Sequence, residues 1–373
     1  MRKRTVPCGA LLAAAFAAQA QGSVQIFGRV DNGIEISKSG LGLQKRQISS
    51  GYGGSRLGFD GAEDLGGGAS AVFRLAMGIN TDDGTLAQGG RGFGRESWVG
   101  LSSKDYGTVY VGRAETPTYR THTVIDAFNY GSAGMGQLSR STPGGVYQVV
   151  PLANNARLDN AISYLSPLMS GFSVHAMMAL DEDSPTVGRA YDIALRYRTG
   201  SWDLNAAFGL QKGSAHVAES GKASSFLIGG IYDFGTVKLV AGYTEERNSC
   251  ATCTGALARV PGVTGSNASR FQLAHVGTRV VIGPAVLIAQ YIRLRDRSDY
   301  AVETGSRSVD WLAVGMEYYL SKRTMVYAAA TTLKNKNGSL YALGTGSSQQ
   351  PVGSVGRGNP QATTVALGIS HAF

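Results

Sequence analysis

Three arginines fall where an alternating strand would turn them all to one side. In the stretch V-Q-I-F-G-R-V-D at 24–31, Arg29 and Asp31 oppose Ile26 and Val30. In 54–60, Arg56, Gly58 and Asp60 share one face and Leu57 and Phe59 the other. In 94–101, Arg95 and Ser97 share a face and Trp98 lies opposite. Side chains alternate with period two along a strand. A row of guanidiniums on a wet face attracts anions and raises the barrier to cations. On a lipid-facing position at mid-bilayer each would cost roughly 2–4 kcal/mol. Glu96, on the same face as Trp98, does not suit a lipid-facing position.

Other reactive patterns are thin. Cys250 and Cys253 form C-A-T-C. Without a helix to lower a thiol pKa or two further ligands for zinc, they read as a structural disulfide or two idle thiols. The G-G-R-G-F-G run at 89–94 lacks the Lys-Ser/Thr ending of a phosphate loop. No Ser-His-Asp arrangement has supporting context, and the five histidines are scattered. No metal site, no cofactor and no nucleic-acid chemistry is expected, and the chain does not read as an enzyme.

The elements that would position the arginines are strands. The last one shows the pattern: Val365, Leu367, Ile369, His371 and Phe373 alternate with Ala366, Gly368, Ser370 and Ala372. Period-two segments predict sixteen strands at 23–35, 54–63, 68–79, 95–102, 107–114, 157–166, 172–180, 189–198, 202–212, 223–233, 236–246, 269–281, 284–295, 308–320, 324–334 and 362–373. Their connections alternate between short turns and long loops. The long ones are 36–53, 80–94, 115–156, 181–188, 213–222, 247–268, 296–307 and 335–361. An even strand count with short turns on one side and long loops on the other is the layout of an outer-membrane barrel. Mean hydropathy is only −0.06, as expected when lipid meets every second residue. The 52 glycines suit bends and turns. Within 115–156, residues 123–129 are expected to make one or two helical turns.

Residues 1–20 read as a signal peptide, with Arg2, Lys3 and Arg4, a short apolar run and A-Q-A at 18–20. The barrel is then expected over 21–373. Net charge is +9 and stays positive when those three basic residues leave with the leader.

Several stretches together resemble the general bacterial porins, in particular the β-proteobacterial trimeric type. They are V-Q-I-F-G-R-V-D at 24–31, G-S-R-L-G-F at 54–59, G-A-E-D-L-G-G-G at 61–68 and G-R-E-S-W-V-G-L at 94–101. Y-G-T-V-Y-V-G-R at 106–113, N-A-I-S-Y-L-S-P at 160–167 and the final Phe373 continue the likeness. The resemblance implies an all-β, sixteen-stranded antiparallel transmembrane β-barrel with short periplasmic turns, long extracellular loops and an infolded third loop, here 115–156. It also implies a homotrimer in the outer membrane, among lipid and lipopolysaccharide, and a basic wall made by Arg29, Arg56, Arg95 and Arg157. Opposite them the loop should carry carboxylates, for which Glu115 and Asp126 are the candidates. The loop is poor in acid and carries Arg120 and Arg140, so a surplus of positive charge is expected. Arg113 reads either as a pore-lining charge or as an anchor of the loop. Phe373 looks like the tag read by the barrel assembly machinery. The expected function is passive diffusion of small hydrophilic solutes with a modest anion preference. A substrate-specific channel and a non-conducting surface barrel serving adhesion are the alternatives.

Overall fold

The computed structural model describes residues 22–39, 42–131, 133–135, 138–142, 145–148, 156–184, 188–216, 221–249, 269–298, 307–339, 341–343 and 361–373. In chain order the strands are β1 (Ser23–Ser39), β2 (Gly42–Ser49), β3 (Arg56–Gly66), β4 (Ala69–Gly78), β5 (Glu96–Ser103), β6 (Gly107–Glu115), β7 (Leu138–Thr142), β8 (Gly145–Gln148), β9 (Arg157–Leu165) and β10 (Phe172–Ala179). They continue as β11 (Ala190–Thr199), β12 (Trp202–Lys212), β13 (Lys222–Asp233), β14 (Val237–Asn248), β15 (Ser269–Ile282), β16 (Ala285–Asp296), β17 (Arg307–Tyr319), β18 (Thr324–Lys336), β19 (Tyr341–Leu343) and β20 (Gln361–Ala372).

Leaving out β2, β7, β8 and β19, each strand pairs antiparallel with its neighbour in sequence. The wall closes where β20 pairs with β1, Arg29 opposite Ala372. Closure removes the sheet edges that hydrocarbon could not hydrate. The result is the sixteen-stranded closed barrel that the alternation predicts. No helix among the described residues is long and apolar enough to cross a membrane; the crossing is made by strands.

The outer face is apolar in the expected rhythm. On β20, Val365, Leu367 and Ile369 are exposed, while Thr364, Ala366 and Ser370 are buried. On β1, Ile26, Val30 and Ile34 face out, and Asp31 and Glu35 are fully buried. On β5 the structure reverses the expected face. Val99 and Leu101 are exposed, so Ser97 points outward with them and Trp98 points inward. Glu96, 6% exposed, accepts from Trp98 Nε1 at 3.3 Å, which settles its misfit on a lipid face.

Two loop regions are more ordered than expected. β1 continues to Ser39 and returns as β2, with Asn32 paired to Ser49 and Ser39 to Gly42. Glu35 and Arg46, 2.5 Å apart, join the two arms. The chain then breaks from the sheet at 50–55. The buried Asp31 carboxylate holds this break, accepting from Tyr52 N, Gly53 N and the Tyr327 hydroxyl. Within 115–156, β7 pairs with both β8 and β19 in a small separate sheet.

Candidate constriction site

The long loop after β6 enters the barrel. Its helix is Pro117–Val124, starting earlier than the expected 123–129. The start signal is local: Thr116 caps it, its Oγ1 accepting from Tyr119 N at 3.3 Å, and Pro117 suits the first turn. Asp192 on β11 docks the helix, accepting from Thr118 N at 2.7 Å and Thr118 Oγ1 at 2.6 Å.

Beyond the helix, Ile125, Ala127 and Phe128 pack into one apolar cluster with Leu227, Leu273, Ile288 and Trp311 of the wall. Glycines make the close approach possible. A Cβ on Gly277 would stand 2.8 Å from the Ala127 Cβ, and one on Gly315 2.7 Å from the Phe128 ring. Arg279 on β15 donates to the Ala127 carbonyl at 2.6 Å and to Glu317 at 2.7 Å. Further on, Asn129 Nδ2 donates to the Tyr52 hydroxyl at 3.4 Å. Residues 117–129 of the loop thus line the inner wall from β11 to β17 and reach the break between β2 and β3. Across from these strands the wall is made by β1, β3, β4, β5, β6 and β9.

That wall carries the arginines. Arg29 lies over the Tyr52 ring at 5.0 Å and donates to Ser370 Oγ at 3.0 Å. Arg56 donates to the Gly54 carbonyl at 3.4 Å. Arg157 donates to Glu115 at 2.6 Å and lies over Tyr119 at 5.4 Å. Arg95 is 3.5 Å from the same carboxylate oxygen, and Arg120 is 3.8 Å from the other. Arg120 and Arg74 share Glu96, and Arg74 forms a two-pronged pair with Asp60 at 2.6 and 2.7 Å. Four expected residues therefore meet here, Arg56, Arg95, Arg157 and Glu115, with Arg29 at the edge. Arg29 and Arg56 have no carboxylate partner among the described residues.

Two expected residues do not join. Asp126, 2% exposed, faces its own loop, accepting from Phe128 N at 3.0 Å and Met135 N at 2.6 Å. Burial pushes its carboxyl up to about 6, against the pull of those N–H groups. It holds the loop's shape and does not oppose the arginines; Glu115 does. Arg113 is separated from Glu115 by a register shift between Gly112 and Ala114. It donates to the Gly94 carbonyl at 2.8 Å and to Asp159 at 2.6 Å, so it anchors the strand end where the loop departs.

Sequence reasoning missed Arg74, Arg279, Glu317 and Asp192 as parts of the site. Each is a charged residue within a strand on an inward position, and that signal could have found them. Cys250, Cys253, Arg140 and 1–20 fall outside the described residues or side chains.

A closed barrel, apolar outside, charged inside and narrowed by a loop from one side, defines a transmembrane diffusion channel. The model of the Gram-negative porin family matches residues 8–338. The chain belongs to that family and is an outer-membrane porin. It is 32% identical to outer membrane porin protein 32 of Delftia acidovorans, with all of both chains covered. It is 29% identical to an outer membrane porin of Bordetella pertussis, covering 89% of this chain and 94% of that one. Among solved structures, an anion-selective porin from Comamonas acidovorans superposes with TM-score 0.75 at 26% identity, covering 95% of this chain and all of that one.

Proposed function

We propose that this porin is a general diffusion channel for small hydrophilic solutes with a modest preference for anions. The observation that carries this reading is the pair Arg29 and Arg56, two inward guanidiniums without a carboxylate partner among the described residues. Glu115 is shared by Arg95, Arg157 and Arg120, and its single negative charge leaves a positive surplus among these groups. In a narrow lumen with low-dielectric walls such a surplus focuses the field on passing ions. The solved neighbour described as anion-selective supports the same sign.

The assembly that goes with this reading is a homotrimer. A Vibrio cholerae OmpT described in trimer form shares the fold, at TM-score 0.64 and 13% identity. Cleavage after Ala20 and recognition of Phe373 by the assembly machinery complete it.

The test is the reversal potential of the reconstituted protein across a planar bilayer in a potassium chloride gradient. A potential of the sign set by chloride is expected. A potential set by potassium would overturn the anion preference, and no conductance at all would overturn the channel reading.

A further inference from the structure

The arm by which the infolded loop leaves the constriction is held differently from the arm by which it enters. Asp192, the packing of Ile125 and Phe128, and Arg279 dock the entering arm. The leaving arm starts at Met135, whose N–H is spent on Asp126 of the loop itself. It continues as β7 and β8, which lie in a sheet separate from the wall. Among the described residues, the strand pairing that ties this sheet to a segment outside the loop is β7 with β19. Leu138 faces Leu343, Ser139 faces Ala342 and Arg140 faces Tyr341. A ladder of three residues is too short to stand in water by itself. β19 must therefore be held from behind.

Tyr341 supplies that hold. The chain leaves β18 through K-N-G-S at 336–339. Asn337 and Gly338 take φ of 58° and 72°, the left-handed pair by which Asn-Gly reverses a chain within two residues. Ser339 Oγ fixes the turn, accepting from Lys336 N at 3.0 Å and donating to the Ser308 carbonyl of β17 at 2.7 Å. Asn335 of β18 then treats Tyr341 as a strand neighbour. Its Oδ1 accepts from Tyr341 N and its Nδ2 donates to the Tyr341 carbonyl, both at 2.9 Å. The Tyr341 hydroxyl donates to Asp296 Oδ2 at the end of β16, at 2.9 Å. The ring is 1% exposed and belongs to the same apolar cluster as Trp311, Leu333 and Met135. Three wall strands thus fix one residue and its turn, and that residue begins the ladder with β7.

We propose that Tyr341 is a positioning residue of the channel: through β19 it clasps the leaving arm of the infolded loop to the wall, and so keeps the passage in one shape. It meets no solute, being buried, and acts through the backbone of β7. A tyrosine that only filled the core under a surface loop would not need both backbone groups and its hydroxyl bonded. Nor would its segment have to extend a sheet that belongs to a loop far earlier in the chain. The inference rests on the channel reading and adds to it a second holding point, independent of Arg279.

Single-channel recording of the reconstituted porin tests this. Tyr341→Ala should raise the frequency of transitions between conductance levels about tenfold, the order expected when a buried hydrogen-bonded contact is lost. Tyr341→Phe, which loses only the bond to Asp296, should raise it by a smaller factor. A disulfide can then replace the clasp: Ser139→Cys with Ala342→Cys, in a Tyr341→Ala chain whose Cys250 and Cys253 are changed to Ser. Directly opposed antiparallel residues stand roughly 4.5–5.5 Å apart at Cα, within disulfide reach. Oxidation should return the frequency to that of the unaltered porin. Dithiothreitol should raise it again in the same folded molecule, which general loss of stability would not do. An unchanged frequency in both Tyr341 variants overturns the proposal. So does a frequency that stays high once intact mass shows the cross-link formed. If Tyr341→Ala does not insert, Tyr341→Phe with the same cysteine pair gives both readings. The channel reading fails separately, through an unaltered porin that does not conduct.

Discussion

Arg279 donates from the barrel wall to the carbonyl oxygen of Ala127 in the infolded loop, at 2.6 Å. The same guanidinium is held by Glu317, which also accepts from Tyr319 at 2.9 Å. The loop that narrows the channel is therefore fastened through its backbone by a side chain that does not belong to it.

Arg279→Ala should loosen that fastening. It leaves Glu317, almost fully buried, without its charged partner, a loss of about 3 kcal/mol. Open-channel noise should rise and conductance should increase as the loop samples undocked positions. Single-channel recordings indistinguishable from the unaltered porin would show that the apolar packing of Ile125 and Phe128 holds the loop unaided.

Arg29 and Arg56, without a carboxylate partner among the described residues, should dominate selectivity. Arg56→Gln is expected to reduce the anion-to-cation permeability ratio on the order of two-fold. Arg113→Gln, which breaks a pair with Asp159 away from the constriction, should leave the ratio unchanged. Reversal potentials measured on both variants decide this. An equal shift from the two would mean that overall charge, and not the guanidiniums facing the loop, sets the preference.

Docking of the loop should respond to acid through Asp126. Its carboxyl is raised to about 6 in the docked loop, above the ordinary value of 3.8. The docked form therefore binds a proton that the released form does not between these values. Its stability is greatest below the lower value and declines as pH rises through the upper one. Going from pH 7 to pH 5 should favour docking by about 1 kcal/mol. Hydrogen exchange of 125–135 should slow accordingly, and Asp126→Asn should remove the pH dependence. Exchange that quickens at pH 5, after correction for its intrinsic rate, would reverse the sign and end this account.

The closing seam should tolerate little. Gly28 and Phe373 exchange backbone hydrogen bonds at 3.0 and 3.2 Å, and a Cβ on Gly28 would stand 2.3 Å from the Phe373 ring. Gly28→Val should displace the ring and lower the temperature at which the folded form is lost on a gel. Deleting Phe373 should reduce the amount assembled in the membrane more than the conductance of what does assemble. Normal insertion of the truncated chain would remove Phe373 from the assembly role.

The alternation of large and small residues by itself determined the strand count, the lipid face of most strands and the inward side of Arg29 and Arg56. That information is local, because period two binds each residue to its immediate neighbours. The motif G-R-E-S-W-V-G-L was legible as a strand, yet its face was misread. Arg95 precedes the regular pairing of β5, so its inward position does not follow the alternation that starts at Glu96. Only the tertiary structure decided that Glu115, and not Asp126, meets the arginines, and that Arg113 turns to Asp159. A one-residue register shift and the docking of a loop against glycines set those partners. Pairings between residues far apart in the chain follow from register and packing, and alternation along a single strand carries neither.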